Sequence, residues 1–185
     1  MRDTGFTSLS TERLVLRRFE QGDSEAFASY RADPDVARYQ SWEGFTRSDA
    51  ERFVAEMSRT DPGVPGEWFQ FAVSERATGE LVGDCALVLH AGDPPIGEVG
   101  YTLAPAEQGR GFATEAVRAV IGYAFEQLGA AAIRAVTDVR NEASIAVAER
   151  LGMRKIATVR ATFKGAPCEE HTFETVTCAC ARPRV

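Results

Sequence analysis

Alternating apolar and charged positions near the start of the chain predict a β-strand. Between Thr11 and Phe19, apolar side chains alternate with charged ones, which is typical of a strand that buries one face. Helix-start signals follow, because aspartate can cap a helix and proline fits its first turn. The predicted helical segments run from Asp23 to about Arg31, from Asp33-Pro34-Asp35 onward, and from Thr46 or Ser48 to Met57.

After a break rich in proline and glycine at residues 61–66, the pattern indicates strands that later alternate with helices. An apolar stripe at helical spacing predicts a long helix from about Gly111 to Leu128, ended by Gly129. The other predicted elements are strands at 68–73, 81–89, 97–103, 132–137, 154–163 and 170–180, a hairpin turn at Thr78-Gly79, and a helix at 141–151. Strands and helices mix as in an α/β (α+β) fold, with a strand–helix–strand crossover at residues 98–137.

Length and charge restrict the classes of function further. The chain has 185 residues, which suits a single domain spanning 1–185, and its formal net charge is −6. This acidic balance argues against a nucleic-acid partner and against an electrostatic contact with a membrane. No apolar run approaches the roughly 20 residues that cross a bilayer, and the N-terminal residues lead into no signal-like stretch. We therefore expect a soluble cytoplasmic protein.

The cysteines and histidines show no spacing typical of a metal site. None of the four cysteines forms a C-x-x-C pair, and the two histidines have no ligand partner at zinc spacing. Cys85 lies in an apolar run and is interpreted as a small core residue, whereas Cys178 and Cys180 share one face of the last predicted strand. The sequence thus predicts reduced structural thiols and no metal.

A glycine-rich segment between a predicted strand and the long helix carries the clearest chemical signal. It reads Gln108-Gly109-Arg110-Gly111-Phe112-Ala113. Two glycines would let the backbone approach a ligand closely, and the unpaired amides and dipole of a helix start favour an anion. Arg110 would add a cation. The competing interpretation is a flexible strand–helix turn, and the segment matches neither a P-loop nor a dinucleotide fingerprint.

This segment and its neighbours resemble a known family. The run Glu98-Val99-Gly100-Tyr101-Thr102-Leu103 and the Gln108-x-x-Gly111-x-Ala113 loop look like the coenzyme-A site of the GCN5-related N-acetyltransferases (GNAT). Three further pieces resemble the RimJ/RimL-like branch of that superfamily, namely Thr11-Glu12-Arg13-Leu14-Val15-Leu16-Arg17, Asn141-Glu142-Ala143-Ser144 and Leu151-Gly152-Met153. The resemblance covers about residues 10–178.

The resemblance implies a fold and a co-substrate. The family's mixed, strongly twisted sheet has six to seven strands and about four flanking helices, and it splays between strands four and five, here 97–103 and 132–137. Acetyl-CoA would enter that cleft, and no metal is implied. The residues implied to bind it are Tyr101, Thr102 and Leu103 along the pantetheine arm, Gln108, Gly109, Arg110, Gly111, Phe112, Ala113 and Thr114 around the pyrophosphate, and Asn141.

The resemblance also implies two residues that move protons during acetyl transfer. Glu98 begins the cofactor-side strand, where some family members carry a general base; the alternative is a solvated carboxylate. Ser144 matches a hydroxyl that is proposed in this branch to protonate the departing CoA sulfur; the alternative is a bond to the local backbone. Residues 160–165 depart from the branch, because they lack the glutamate that some ribosomal-protein enzymes carry there. Glu169 and Glu170 could still attract a cationic acceptor.

The acceptor is the part of the function that the sequence constrains least. Trp42 and Phe45 lie where the family shapes its acceptor pocket, although packing in the core would explain each residue equally well. The leading hypothesis is direct acetyl transfer from acetyl-CoA to a primary amine, on a protein N-terminus or on a small molecule. The alternative is a non-catalytic domain that binds acyl-CoA as a sensor. A monomer and a homodimer are both compatible with the sequence.

Overall fold

The computed structural model describes residues 2–176, and within them eight strands form one mixed sheet. The order across the sheet is β1-β2-β3-β4-β5-β6-β8-β7, and only the β5–β6 pair is parallel. The strands are β1 (Ser8–Ser10), β2 (Leu14–Arg17), β3 (Phe69–Glu75), β4 (Leu81–His90), β5 (Ile96–Leu103), β6 (Ala132–Asp138), β7 (Arg154–Phe163) and β8 (Ala166–Val176). The helices are α1 (Ser24–Arg31), α2 (Pro34–Ala37), α3 (Arg47–Met57), α4 (Phe112–Glu126) and α5 (Glu142–Arg150).

The mixed α/β architecture is confirmed, and the differences in number arise at short elements. Within residues 2–176 the sheet has eight strands rather than six or seven, because Ser8–Ser10 adds a short edge strand. The same residues form five helices, whereas the family resemblance implies about four. The additional helix is the single turn Pro34–Ala37, which the Asp33 carboxylate caps. The last strand starts at Ala166 rather than at residue 170, and residues 178 and 180 lie outside the described part of the chain.

Two predicted boundaries near the N-terminus are wrong for local reasons. Residues 11–19 do not form one strand, because Thr11 folds back onto Leu14, whose carbonyl accepts from the Thr11 amide at 2.9 Å. Asp23 does not cap α1 with its side chain. Its carboxylate accepts instead from the Arg17 guanidinium at 2.7 Å and from the Glu20 amide at 2.7 Å. The chain therefore enters α1 through a short 3₁₀ turn at residues 21–23.

Helices cover both faces of the sheet. On one face the apolar stripe of α4 packs against the strands, and Phe112 and Val120 are fully buried there with Phe71 of β3. On the other face, α1 and α3 enclose a second apolar cluster that includes Phe19 and Phe27. A third and smaller cluster joins α5 to β8. The two main clusters lie on opposite faces because successive strand residues point to opposite sides.

The sheet opens between β5 and β6, as the family resemblance implies. These two strands pair only at their start, where Ile96–Glu98 faces Ala132–Arg134. Gly97 lies at this root, and a Cβ there would come within 2.5 Å of the Ile133 Cδ1 atom, so a larger residue would force that side chain to shift. Beyond Glu98 the remainder of β5 has no partner on its β6 side, while β6 continues to pair with β8 up to Asp138. The result is a wedge between the two strands.

Two observations bear on membranes and metals. Within residues 2–176, no helix is long and apolar enough to cross a membrane. The same residues contain no group of three or more His, Cys, Asp or Glu side chains that could hold a metal ion. Cys85 is a free, fully buried thiol, and burial raises its pKa far above the ordinary value, in keeping with a structural role.

Candidate active site

The glycine loop turns the chain from β5 into α4 and leaves the first amides of the helix free. Gly109 and Gly111 have φ values of 75° and 82°, in the left-handed region that glycine adopts without strain. Gly111 precedes the first residue of α4 and supplies no side-chain cap. The first intrahelical bond runs from the Glu115 amide to the Gly111 carbonyl at 3.1 Å. The amides of residues 112–114 therefore point out of the helix start, where its dipole favours an anion.

A brace from the N-terminal segment holds the start of α4. Glu115 accepts from the Thr11 hydroxyl at 2.6 Å, from the Arg13 amide at 2.8 Å and from the Arg13 Nε at 2.7 Å. Burial raises the pKa of the Glu115 carboxyl, but these hydrogen bonds outweigh it and the net shift is downward. Arg13 also donates to the Arg110 carbonyl at 2.9 Å. The Thr11-Glu12-Arg13 motif thus connects β2 to the glycine loop.

Arg110 lies at the loop, but its charge is already compensated. Its Nη2 is 2.7 Å from a carboxylate oxygen of Glu75, and its Nη1 contacts Glu107. Its guanidinium also lies over the Phe112 ring, 4.4 Å from the centroid. Because both carboxylates neutralise this arginine, the groups of the loop that remain for an anion are the backbone amides.

The free edge of β5 offers main-chain groups to an extended ligand. The Tyr101 carbonyl accepts from Gln40 Nε2 at 3.3 Å, and the Leu103 carbonyl accepts from Gln108 Nε2 at 3.3 Å. Side-chain amides rather than a neighbouring strand therefore satisfy these carbonyls. A ligand with alternating amide donors and acceptors can replace such contacts along a strand edge.

The glycine loop, the β5 edge and α5 enclose a cavity of about 690 Å³, here called the loop cavity. Most of the residues that the sequence assigned to the co-substrate line it, namely Tyr101, Thr102, Leu103, Gln108, Gly109, Arg110, Gly111, Ala113, Thr114 and Asn141. Phe112 does not line it, because its side chain is fully buried in the core. Only the backbone amide of Phe112 is left for a ligand.

A second cavity of about 460 Å³, here called the aromatic cavity, lies across the opened edge. Its aromatic lining includes Trp42, Phe53, Trp68 and Phe163. The Trp42 ring is fixed by a hydrogen bond that its indole nitrogen donates to the Arg31 carbonyl at 3.1 Å. Phe45 does not line this cavity and packs edge-on against Phe27, with ring centroids 5.5 Å apart. The structure thus places Trp42 at a pocket and Phe45 in the packing behind it.

A buried polar network forms the floor of the aromatic cavity. Asp84 is 1% exposed, and its carboxylate accepts from the Tyr30 hydroxyl at 2.5 Å, from Arg31 Nη2 at 3.1 Å and from the Gln70 amide. The Arg31 guanidinium lies between aromatic rings, with its Cζ 3.8 Å from the Trp42 centroid. The ion pair and its hydrogen bonds make a rigid floor whose two charges cancel.

The two cavities adjoin along a shared lining, here called the junction, which is formed by Tyr39, Gln40, Tyr101, Thr102, Asn141 and Ser144. Asn141 caps α5, as the sequence predicts, because its Oδ1 accepts from the Ser144 amide at 3.2 Å. The Tyr101 hydroxyl donates to the Ser144 carbonyl at 3.4 Å. Burial raises the pKa of Tyr101 to about 12, although a contact with the Ser144 side chain acts in the opposite direction. The hydroxyls of Tyr101 and Ser144 therefore lie together at the junction.

Glu98 lies at the root of the opened edge rather than at this junction. It is the last β5 residue that pairs with β6, and it lines neither cavity. Its carboxylate is 3.7 Å from the Nε2 of His90, and its side chain is about one-third exposed. The structure therefore does not bring Glu98 together with Ser144 in one cavity lining.

Several lining residues carry no sequence signal that points to a site. Gln40, Asp84 and Asp138 belong to this group, because each is a single polar residue within or beside an ordinary element. Glu170 carried only a weak signal as part of an acidic pair after a turn. Strand alternation could have placed Asp84 on the same face as Gln70, but the pairing register was needed to relate the two strands.

Known proteins share both the sequence pattern and the fold. The chain matches the acetyltransferase (GNAT) domain model over residues 13–154. It is 31% identical over 153 residues to the uncharacterised N-acetyltransferase p20 of Bacillus licheniformis, covering 83% of this chain and 85% of p20. An acetyltransferase of the GNAT family from Bacillus anthracis is similar in structure, with a TM-score of 0.78, 28% identity, and 92% and 98% of the two chains covered. Spermidine N-acetyltransferase from Vibrio cholerae, solved with CoA and spermine, has the same fold at 19% identity, with a TM-score of 0.75 over 90% and 96% of the chains.

Proposed function

The chain belongs to the GNAT acetyltransferase family and is an acetyl-CoA-dependent N-acetyltransferase, and we propose that it acetylates a primary amine by direct attack in a ternary complex. The acceptor is a protein N-terminal α-amine or a small-molecule amine. One observation carries this proposal: the loop cavity and the aromatic cavity share part of their lining, and Tyr101, Asn141 and Ser144 belong to that shared part. Two substrates bound in the two cavities would have their reacting groups side by side.

The residues of the loop cavity fit the co-substrate. Left-handed glycines at 109 and 111 and an uncapped helix start suit a pyrophosphate, and the β5 edge suits an amide-containing arm. When bound, acetyl-CoA supplies the acetyl group as a thioester. Gln108 donates to the Leu103 carbonyl and Asn141 lines the cavity from the start of α5, so the two residues would fix the arm between the loop and α5.

Ser144 is the proposed proton donor to the departing thiolate. It lines both cavities, so its hydroxyl is placed where the two substrates would meet. Tyr101 stands beside it as a second hydroxyl whose pKa of about 12 keeps it protonated at neutral pH. Because the Tyr101 hydroxyl already donates to the Ser144 carbonyl, we assign it a positioning role and Ser144 the transfer.

Glu98 is the proposed acceptor of the amine proton, acting through water. Its carboxylate lies at the root of the wedge and lines neither cavity, so direct contact with the amine is not part of the proposal. An α-amine with a pKa near 8 is roughly one-tenth neutral at pH 7, whereas a lysine-type amine near about 10.4 is less than a thousandth neutral. An α-amine acceptor would therefore depend less on this base.

Release of free thiol from acetyl-CoA tests the function directly. The purified protein is mixed with acetyl-CoA and a panel of peptides and small amines, and thiol formation is followed with and without each amine. Amine-dependent release is the expected result. Tight CoA binding by calorimetry without thiol release for any amine would favour the alternative, a non-catalytic domain that binds acyl-CoA as a sensor.

A further inference from the structure

The charged side chains of the aromatic cavity are almost all neutralised by partners. Asp84 is paired with Arg31 at the floor. Asp138 holds the guanidinium of Arg140 at two points, Nε at 2.8 Å and Nη2 at 2.6 Å, and this contact lowers the pKa of Asp138 to about 2. Glu170 is the third acidic residue of the lining, and within residues 2–176 it makes no ion pair. It therefore contributes a negative charge that no partner balances.

Among the described residues, every basic side chain of the same cavity lining already has an ion pair. Arg31 is the basic residue of the lining, and it is 5% exposed, paired with Asp84 and covered by the Trp42 ring. Its Nε has no partner among the described residues and is buried. Lys164 lies nearby in the β7–β8 turn, and its Nζ is engaged by the carbonyls of Ala37 and Trp42 at 2.9 and 2.8 Å.

Glu170 points to this cavity because of its register in the sheet. It pairs with Asp138 of β6 on one side and with Val159 of β7 on the other, next to the opened edge. Its neighbour Glu169 belongs to the opposite face of β8, is exposed, and does not line the cavity. Two adjacent glutamates of the same strand therefore differ in whether they can meet an acceptor.

We propose that Glu170 is a specificity-determining residue, which attracts the cationic amine and makes the cavity reject acceptors with a carboxylate beside that amine. This inference rests on the proposed function and names its substrate class. The class comprises amines in which the carbon next to the nitrogen carries a hydrogen or an amide in place of a carboxylate, such as decarboxylated amino acids and peptide N-termini. Free amino acids would place their carboxylate among aromatic rings and an unbalanced glutamate, and the described lining has no unpaired cation to receive it.

Matched acceptors test the selectivity. Tyramine and tyrosine, and phenethylamine and phenylalanine, differ only in the carboxylate, and phenylalaninamide represents a peptide N-terminus. We expect kcat/KM to be at least about tenfold higher for each amine or amide than for its amino acid, because the carboxylate meets a like charge at short range. Equal or better use of the free amino acids would overturn the proposal.

Two isosteric variants test the assignment to Glu170. Glu170→Gln is expected to raise KM for tyramine roughly tenfold with a smaller effect on kcat. It should also reduce the ratio of kcat/KM for tyramine to kcat/KM for tyrosine. Glu169→Gln removes the same charge one position away and is the matched control, expected to remain within about twofold of the wild type. Equal effects of the two substitutions would show a general charge effect and refute the role of Glu170.

A binding measurement separates this inference from the proposed function. Calorimetry of tyramine and tyrosine with the protein–CoA complex needs no turnover. Tyramine binding that Glu170→Gln weakens and Glu169→Gln does not would support the selectivity, even if no thiol were released and the catalytic proposal failed. If the wild-type complex bound tyrosine as tightly as tyramine, the inference would be overturned, whatever the rate of acetyl transfer.

Discussion

A carboxylate placed at residue 111 should abolish high-affinity CoA binding without unfolding the protein. Gly111 has φ = 82°, lies next to the free amides of α4 and lines the loop cavity, so a carboxylate there would add a negative charge beside the space proposed for the pyrophosphate. Asparagine and aspartate both tolerate left-handed backbone better than other residues, and the backbone cost of about 1 kcal/mol is common to the two. The pair Gly111→Asp and Gly111→Asn therefore isolates the charge.

The magnitude follows from the local charges. A Cβ at residue 111 would lie 3.4 Å from the Nη2 of Arg13, but that nitrogen is already paired with Glu115 at 2.6 Å. Arg110 is likewise paired with two carboxylates, so the new aspartate would leave the loop more negative by a full charge. A carboxylate about 5 Å from one phosphate charge costs ~3 kcal/mol at an effective dielectric constant of 20, which is roughly 100-fold in affinity.

Calorimetric titration with CoA at low and at moderate salt measures this effect. We expect Gly111→Asn to bind within several-fold of the wild type and Gly111→Asp to bind roughly 100-fold more weakly than Gly111→Asn. The gap between the two variants should shrink as salt rises, because counterions screen the repulsion. Equal CoA affinity of the two variants, or a gap that salt does not change, would refute the assignment of this loop to the pyrophosphate.

Three other predictions follow from the site and the fold. Ser144→Ala should lower kcat roughly 10- to 100-fold while CoA affinity stays within about threefold, because a donor that acts in the transition state adds little to ground-state binding. Steady-state kinetics measures kcat and calorimetry measures the affinity. An unchanged kcat would mean that another group donates the proton. Glu98→Gln should reduce the rate most at low pH, where the amine is protonated, and least near the acceptor pKa; a pH–rate profile identical to that of the wild type would remove Glu98 from the mechanism. Thermal unfolding should be one cooperative transition. CoA at about 100 times its Kd should raise the free energy of unfolding by ~2.7 kcal/mol and the midpoint temperature by roughly 5–10 °C. Two separate transitions in a calorimetric scan without ligand would contradict a single domain.

Signals that act between near neighbours in the chain could be read from the sequence. Asp33, Thr46 and Asn141 cap α2, α3 and α5, because a cap needs only a side chain and an amide two or three residues away. The long amphipathic helix and the glycine loop before it were equally local, and both are confirmed in position. Asp23 was misread because Arg17, six residues away, competes for its carboxylate.

The site required relations between residues that are far apart in the chain. Arg13 pairs with Glu115, and Glu75 neutralises Arg110. In each pair the two residues are too far apart in the chain for a sequence motif to relate them. The pairing register decides which strand residues face the wedge, so Glu170 reaches the aromatic cavity whereas Glu98 remains at the root of the open edge. The sequence by itself determined most of the elements, the loop and the family, since these depend on local spacing. Only the tertiary structure decided which charges are free and which side chains share a cavity, because both depend on which strands pair and where that pairing ends.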